Sequence, residues 1–231
     1  MLFRQFIDAE SSTYTYLVAS GRGREALLVD PVREQIDQYT RAIDELGLRL
    51  VLALDTHTHA DHVTGIGKLR ERTGCTTMMG ERTRAECVDA HVHDAELLDV
   101  DGIRLRALYT PGHTDESFSF VLDTPAPGLV FTGDVLMIRG TGRTDFQNGD
   151  PGQSYDSITQ RLFVLPDDML VYPAHDYKGW LSSTIGEEKQ YNPRLAGKSR
   201  AEYVDIMNNL DLDDPKMMDV AIPANLACGM D

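Results

Sequence analysis

The sequence predicts an α/β (α+β) protein whose sheets are covered by helices, organised as one domain over residues 1–231. Three observations carry that expectation. Short β-branched or aromatic runs alternate with helix-spaced apolar residues in both halves of the chain. No Gly/Ser-rich linker or shift in composition separates the halves. A chain of 231 residues that is 42% hydrophobic and 26% charged has the size and composition of an ordinary globular domain.

Taken in order, residues 2–7, 13–19 and 26–29 read as strands. Ile36, Tyr39, Thr40, Ile43 and Leu46 follow at helical spacing, and Gly47 suits the cap after the last turn. Residues 48–54 are apolar apart from Arg49, as in a strand buried on both faces. A helix is expected over 63–72, then strands at 76–79, 103–109, 117–122 and 129–131. Pro125-Ala126-Pro127-Gly128 marks a turn. Helices are expected over 155–162 and around Tyr203, Ile206, Met207 and Leu210, with a strand at 169–172 between them.

Composition excludes several functions. With 22 Lys+Arg against 37 Asp+Glu the net charge is −15, which repels phosphate backbones and argues against nucleic-acid partners. No apolar run approaches the roughly 20 residues of a membrane span, so no membrane partner is expected. The first eight residues alternate like a strand and show no leader pattern, which points to a cytoplasmic protein. Cys75, Cys87 and Cys228 are odd in number and lack CxxC spacing. They are therefore expected to be small core hydrophobes rather than a disulfide framework.

The chemistry concentrates after the strand at 48–54. His57, His59, Asp61 and His62 place three imidazoles and a carboxylate at a strand's carboxyl end, where α/β architectures bind ligands. The same arrangement of strand, Gly/Pro turn and ligand-type residue recurs at His113, Asp134 and His175. His91 and His93 lie in a polar stretch and read as surface residues. Donor identity allows two metal arrangements. Two zincs could be held by His57, His59 and His113 and by Asp61, His62 and His175, with Asp134 bridging. Alternatively a smaller set of these residues could hold one metal, and spacing does not decide between the two.

This spacing resembles the metallo-β-lactamase superfamily, which implies an αββα sandwich of two mixed sheets flanked by helices, with a metal site at one edge. More narrowly, the chain is similar to the persulfide dioxygenases, also called sulfur dioxygenases. The resemblance rests on Gly133-Asp134, Gly140-Thr141-Gly142-Arg143-Thr144-Asp145, Pro173-Ala174-His175-Asp176-Tyr177, Asn192-Pro193-Arg194 and Pro223-Ala224-Asn225-Leu226-Ala227-Cys228-Gly229. It implies one Fe(2+) per chain on His57, His113 and Asp134, with His59, Asp61, His62 and His175 behind these ligands. It also implies glutathione persulfide and O2 as substrates, sulfite and glutathione as products, and a homodimer. Arg143, Arg194 and Tyr177 match positions near the glutathione, while Arg139 reads equally as an internal ion-pair partner. Thr141 departs from the Cys common in relatives, and Glu116-Ser117 after His113 is a second departure; neither touches a ligand.

The main alternative is a dinuclear zinc hydroxyacylglutathione hydrolase, a glyoxalase II-type thioesterase. The loop at 142–147 and the short stretch after His175 weigh against it. A non-catalytic metalloprotein that senses persulfide is distinguished by stoichiometric rather than continuous reaction.

Overall fold

Seven residues of alternating character pair with seven more to open the molecule. β1 (Leu2–Asp8) and β2 (Thr13–Ala19) are antiparallel, and the Asp8 carboxylate accepts from the Ser11 N–H and hydroxyl to tie the turn. This is a computed structural model, and it describes residues 1–123, 127–213 and 217–230. Contacts divide the chain into two units. The first is Met1–Val92, Leu97–Arg104 and Asp214–Asp231; the second is His93–Glu96 and Leu105–Asp213.

In the first unit, β3 (Glu25–Val29) joins β2 antiparallel, and β4 (Arg49–Leu54), β5 (Thr76–Gly80) and β6 (Ala90–Val92) continue in parallel. The parallel crossovers are made by α1 (Ile36–Glu45) and α2 (Ile66–Thr73). Ile36, Tyr39 and Ile43 of α1 and Ile66 and Leu69 of α2 pack with Leu17, Leu28 and Leu50 in one buried cluster. Gly47, at φ 66°, follows α1 as the spacing predicts. The helix expected from Val63 starts only at Ile66, because the preceding backbone bonds elsewhere: the Val63 carbonyl accepts from the Arg33 N–H at 2.9 Å and the Gly65 N–H donates to the Pro31 carbonyl at 2.6 Å.

The second sheet begins with β7 (Leu97–Val100) and β8 (Ile103–Tyr109), followed by β9 (Phe118–Leu122) and β10 (Leu129–Gly133). β11 (Leu170–Pro173) and β12 (Ser183–Thr184) complete it, in the order β12-β11-β10-β9-β8-β7. The β10–β11 pair is parallel and the pairs β8–β9, β9–β10 and β11–β12 are antiparallel, so both sheets are mixed. α3 (Pro151–Ser157), α4 (Ile185–Tyr191) and α5 (Arg200–Asn208) belong to the second unit. Ile158, Leu162, Ile185, Tyr203 and Met207 pack on Val121, Val130 and Val171 of its sheet. α6 (Met218–Leu226) belongs to the first unit.

Every long predicted element is present. The strand at β6 escapes a hydrophobic reading because its middle residue, His91, is exposed; His93 is exposed too, as expected. The predicted turn begins at Pro125-Ala126, which lies outside the described residues. No described helix is long and apolar enough to cross a membrane.

One expectation is overturned. Cys87 and Cys228 form a disulfide across 141 residues, with Cα atoms 6.0 Å apart, and only Cys75 is a buried free thiol. Spacing could not reveal the pair, because α6 returns the chain end to the first unit.

Candidate metal centre

In the first unit, the residues after β4 leave the sheet in irregular backbone and bring three imidazoles together. Ring centroids of His57 and His59 are 4.2 Å apart, and those of His59 and His62 are 4.3 Å apart. All three rings are buried: His57 is 2% exposed, His59 0% and His62 4%. His62 Nδ1 lies 3.1 Å from Asp61 Oδ2, so this nitrogen donates and Nε2 keeps its lone pair. Thr13 Oγ1, from β2, reaches the same Nδ1 at 3.2 Å.

Asp30 is a site residue that the sequence reading missed. It follows β3 at φ 52°, and its carboxylate accepts from the Thr56 N–H at 2.7 Å and the Thr56 hydroxyl at 3.1 Å. His59 Nε2 is 3.3 Å from its Oδ1, and Thr56 Oγ1 is 2.9 Å from His57 Nδ1. Burial pushes the Asp30 carboxyl up to about 6, against the lowering effect of His57 and the Thr56 hydrogen bonds. Asp30, Asp55 and His59 hold ligand-type atoms within 4.8 Å of one another. The missed signal was a carboxylate directly after the apolar run of β3, the same pattern that picked out Asp134.

In the second unit, His113 follows β8 and Asp134 follows β10, while His175 follows β11. His113 Nδ1 donates to the Arg143 carbonyl at 2.7 Å, which fixes the tautomer with the ring's lone pair on Nε2. That Nε2 lies 3.7 Å from Asp134 Oδ2, while Asp134 Oδ1 is 2.7 Å from His175 Nδ1. Gly142 lets the loop close on this pair. Its N–H donates to the Asp134 carbonyl at 2.7 Å, and a Cβ here would lie 2.5 Å from that oxygen and 2.7 Å from His113 Nδ1. The structure thus gathers His57, His59, Asp61 and His62 in one unit and His113, Asp134 and His175 in the other. Imidazole nitrogens with carboxylate oxygens, in fixed tautomers, are a donor set that fits zinc or iron.

The expected substrate residues lie in the second unit. Arg143 forms a two-point ion pair with Asp145 at 2.7 and 2.8 Å, donates to the Asp213 carbonyl and lies 4.1 Å over the Phe146 ring. This pairing holds the Asp145 carboxyl below the ordinary range. Arg194 donates to the Thr141 carbonyl at 2.5 Å, and burial lowers its guanidinium pKa. Tyr177 is 69% exposed and stacks parallel to the His175 ring, with centroids 6.1 Å apart. Arg139 pairs with Glu187 and Glu188 and bonds Ser183, so the internal ion-pair reading describes it.

The model of the metallo-β-lactamase superfamily matches residues 9–175. The crystal structure of ETHE1 from Myxococcus xanthus has a TM-score of 0.95 and 52% identity, covering 99% of this chain and 100% of that one. A metallo-β-lactamase structure from Staphylococcus aureus has a TM-score of 0.90 and 27% identity, covering 99% of this chain and 73% of that one. The fold is that of the metallo-β-lactamases, two mixed sheets flanked by helices. Human mitochondrial persulfide dioxygenase ETHE1 is 44% identical over 231 residues, 100% of this chain and 89% of the relative. Within the metallo-β-lactamase superfamily, the chain belongs to the family of the ETHE1 persulfide dioxygenases.

Proposed function

We propose that residues 1–231 act as one domain that oxidises glutathione persulfide with O2 to sulfite and glutathione, as a mononuclear non-haem Fe(II) dioxygenase of sulfide catabolism. The observation that carries this reading is the 44% identity to a persulfide dioxygenase over the whole chain. Cytoplasmic action and a homodimer are further parts of the proposal.

In this reading His57, His113 and Asp134 hold one iron, and His59, Asp61, His62 and His175 orient the residues that hold it. Ferrous iron held by two imidazoles and one carboxylate would supply open positions at which dioxygen meets the sulfur anion, whose own electrons reduce the oxygen. The chain's own part is to fix donors before the metal arrives. The Arg143 carbonyl holds the His113 tautomer, and the bond to His175 leaves Asp134 Oδ2 on the side of His113. Arg143 and Arg194 supply cations for the glutathione carboxylates, and the exposed Tyr177 ring supplies a face for its backbone. Asp145 already shares the Arg143 charge, so this guanidinium orients substrate more than it attracts it.

The test is anaerobic purification, metal analysis and dioxygen uptake with glutathione persulfide. About one iron per chain and sulfite formed in step with oxygen consumed are expected. Two zincs with S-acylglutathione hydrolysis would replace this reading with the thioesterase.

A further inference from the structure

The irregular stretch that carries His57, His59, Asp61 and His62 must have its backbone groups satisfied from outside, since it forms neither helix nor sheet. A single side chain near the chain's end meets much of that need. Asn225, the eighth residue of α6 and 3% exposed, donates from Nδ2 to the His59 carbonyl at 2.8 Å and to the His62 carbonyl at 2.9 Å. Its Oδ1 accepts from the Thr64 N–H at 2.8 Å. Both amide donors and the carbonyl are thus spent on one loop, more than 160 residues earlier in sequence by the separations of 161, 163 and 166.

The segment around Asn225 is itself seated on the first unit. Gly67 N–H donates to the Cys228 carbonyl at 3.1 Å, and Cys228 is bonded to Cys87. A Cβ on Gly229 would come within 2.1 Å of the Thr64 carbonyl, so the chain end lies directly against the loop.

We propose that Asn225 is a positioning residue of the metal site, clamping the loop of residues 57–64 so that its donors are held in ligating geometry before metal binds. The inference rests on the reading of this loop as metal-bearing. Asparagine suits the task because two carbonyls and one N–H converge on it. Aspartate would keep the acceptor for Thr64 but set oxygen against both carbonyls, and alanine would leave all three groups buried without this partner.

The test uses the full chain loaded with Co(II) and follows its absorption as a chelator removes the metal. Asn225→Ala is expected to release cobalt about 10- to 100-fold faster than the unaltered protein. Ile43→Ala, which removes buried methyls from α1 of the same unit, serves as a control for lost stability. It should release cobalt within about twofold of the unaltered protein, since outer partners of the ligands are untouched. Asn225→Asp gives the same comparison should the alanine variant fail to fold, and should release cobalt as fast or faster. Release from the Asn225 variants no faster than from Ile43→Ala overturns the proposal and leaves the persulfide reading intact. An unaltered protein that takes up no metal overturns both. Because the readout is metal release, the comparison is decided independently of dioxygen consumption.

Discussion

Gly142 is the residue on which the second half of the candidate site turns. Its missing side chain lets the loop lie against Asp134 and His113, and the next residue supplies the carbonyl that fixes the His113 tautomer. Gly142→Ala must therefore push either the loop or the ring aside. Overpacking of this kind costs roughly 1–3 kcal/mol, and here the displaced atom is the hydrogen-bonding nitrogen of His113, a ligand in the proposed reading. Reduced metal content at a modestly lowered unfolding temperature is expected, measured by metal analysis and thermal unfolding. His113→Ala is expected to lose metal altogether, because no neighbouring carbonyl or hydroxyl replaces an imidazole donor. At this scale the sequence was legible where residue type announces chemistry. Three histidines and an aspartate after a buried strand say metal by themselves. Asp30 and Asn225 are silent in sequence, because an ordinary carboxylate and amide acquire their roles only when β3 and α6 bring them to the loop.

At the scale of elements, α5 shows how a surface helix supports the site. Ser199 accepts from the Glu202 N–H while the Glu202 carboxylate accepts from the Ser199 N–H, a complete capping box. One turn later Tyr203 is fully buried, donating to Thr141 Oγ1 at 2.9 Å and sharing a hydrogen bond with Ser154 at 2.9 Å. Burial pushes its phenol pKa up, so it remains a donor at neutral pH. Thr141 is thus a hydrogen-bonding post for the loop that carries Gly142 and Arg143. Ser199→Ala should cost about 1 kcal/mol through the lost cap, read as a lower denaturant midpoint with an unchanged slope. Long strands and α1, α2 and α5 were legible because burial imposes a clear period on them. β6, β12 and α4 were not. Two or three residues of edge strand carry no period, and the seven residues of α4 are held by Arg139 and Ser183 contacts to Glu187 and Glu188 that only the fold creates.

Across the whole molecule, the net charge of −15 sets the field that an anionic thiol meets. Screening should therefore raise kcat/KM for glutathione persulfide as salt increases from low ionic strength, the opposite of a site approached through a positive field. The disulfide acts at the same scale. It joins Cys87 to Cys228 across 141 residues, so it restricts a large part of the unfolded chain while fastening α6 to the first unit. Chain entropy puts loop closure of that length at about 5 kcal/mol, against roughly 2–4 kcal/mol for a typical disulfide, with the share held by unfolded-chain entropy dependent on the model used. Cys75 does not compete for the bond. Its thiol is buried and its pKa raised by burial, which suppresses the thiolate needed for exchange. Denaturant unfolding of the oxidised protein should thus show a higher midpoint than the same protein with a dithiol reductant. Cys228→Ser should match the reduced protein and be indifferent to reductant. Equal midpoints for all three would mean that the bond contributes nothing to the folded chain, and that α6 is seated by its buried residues and hydrogen bonds.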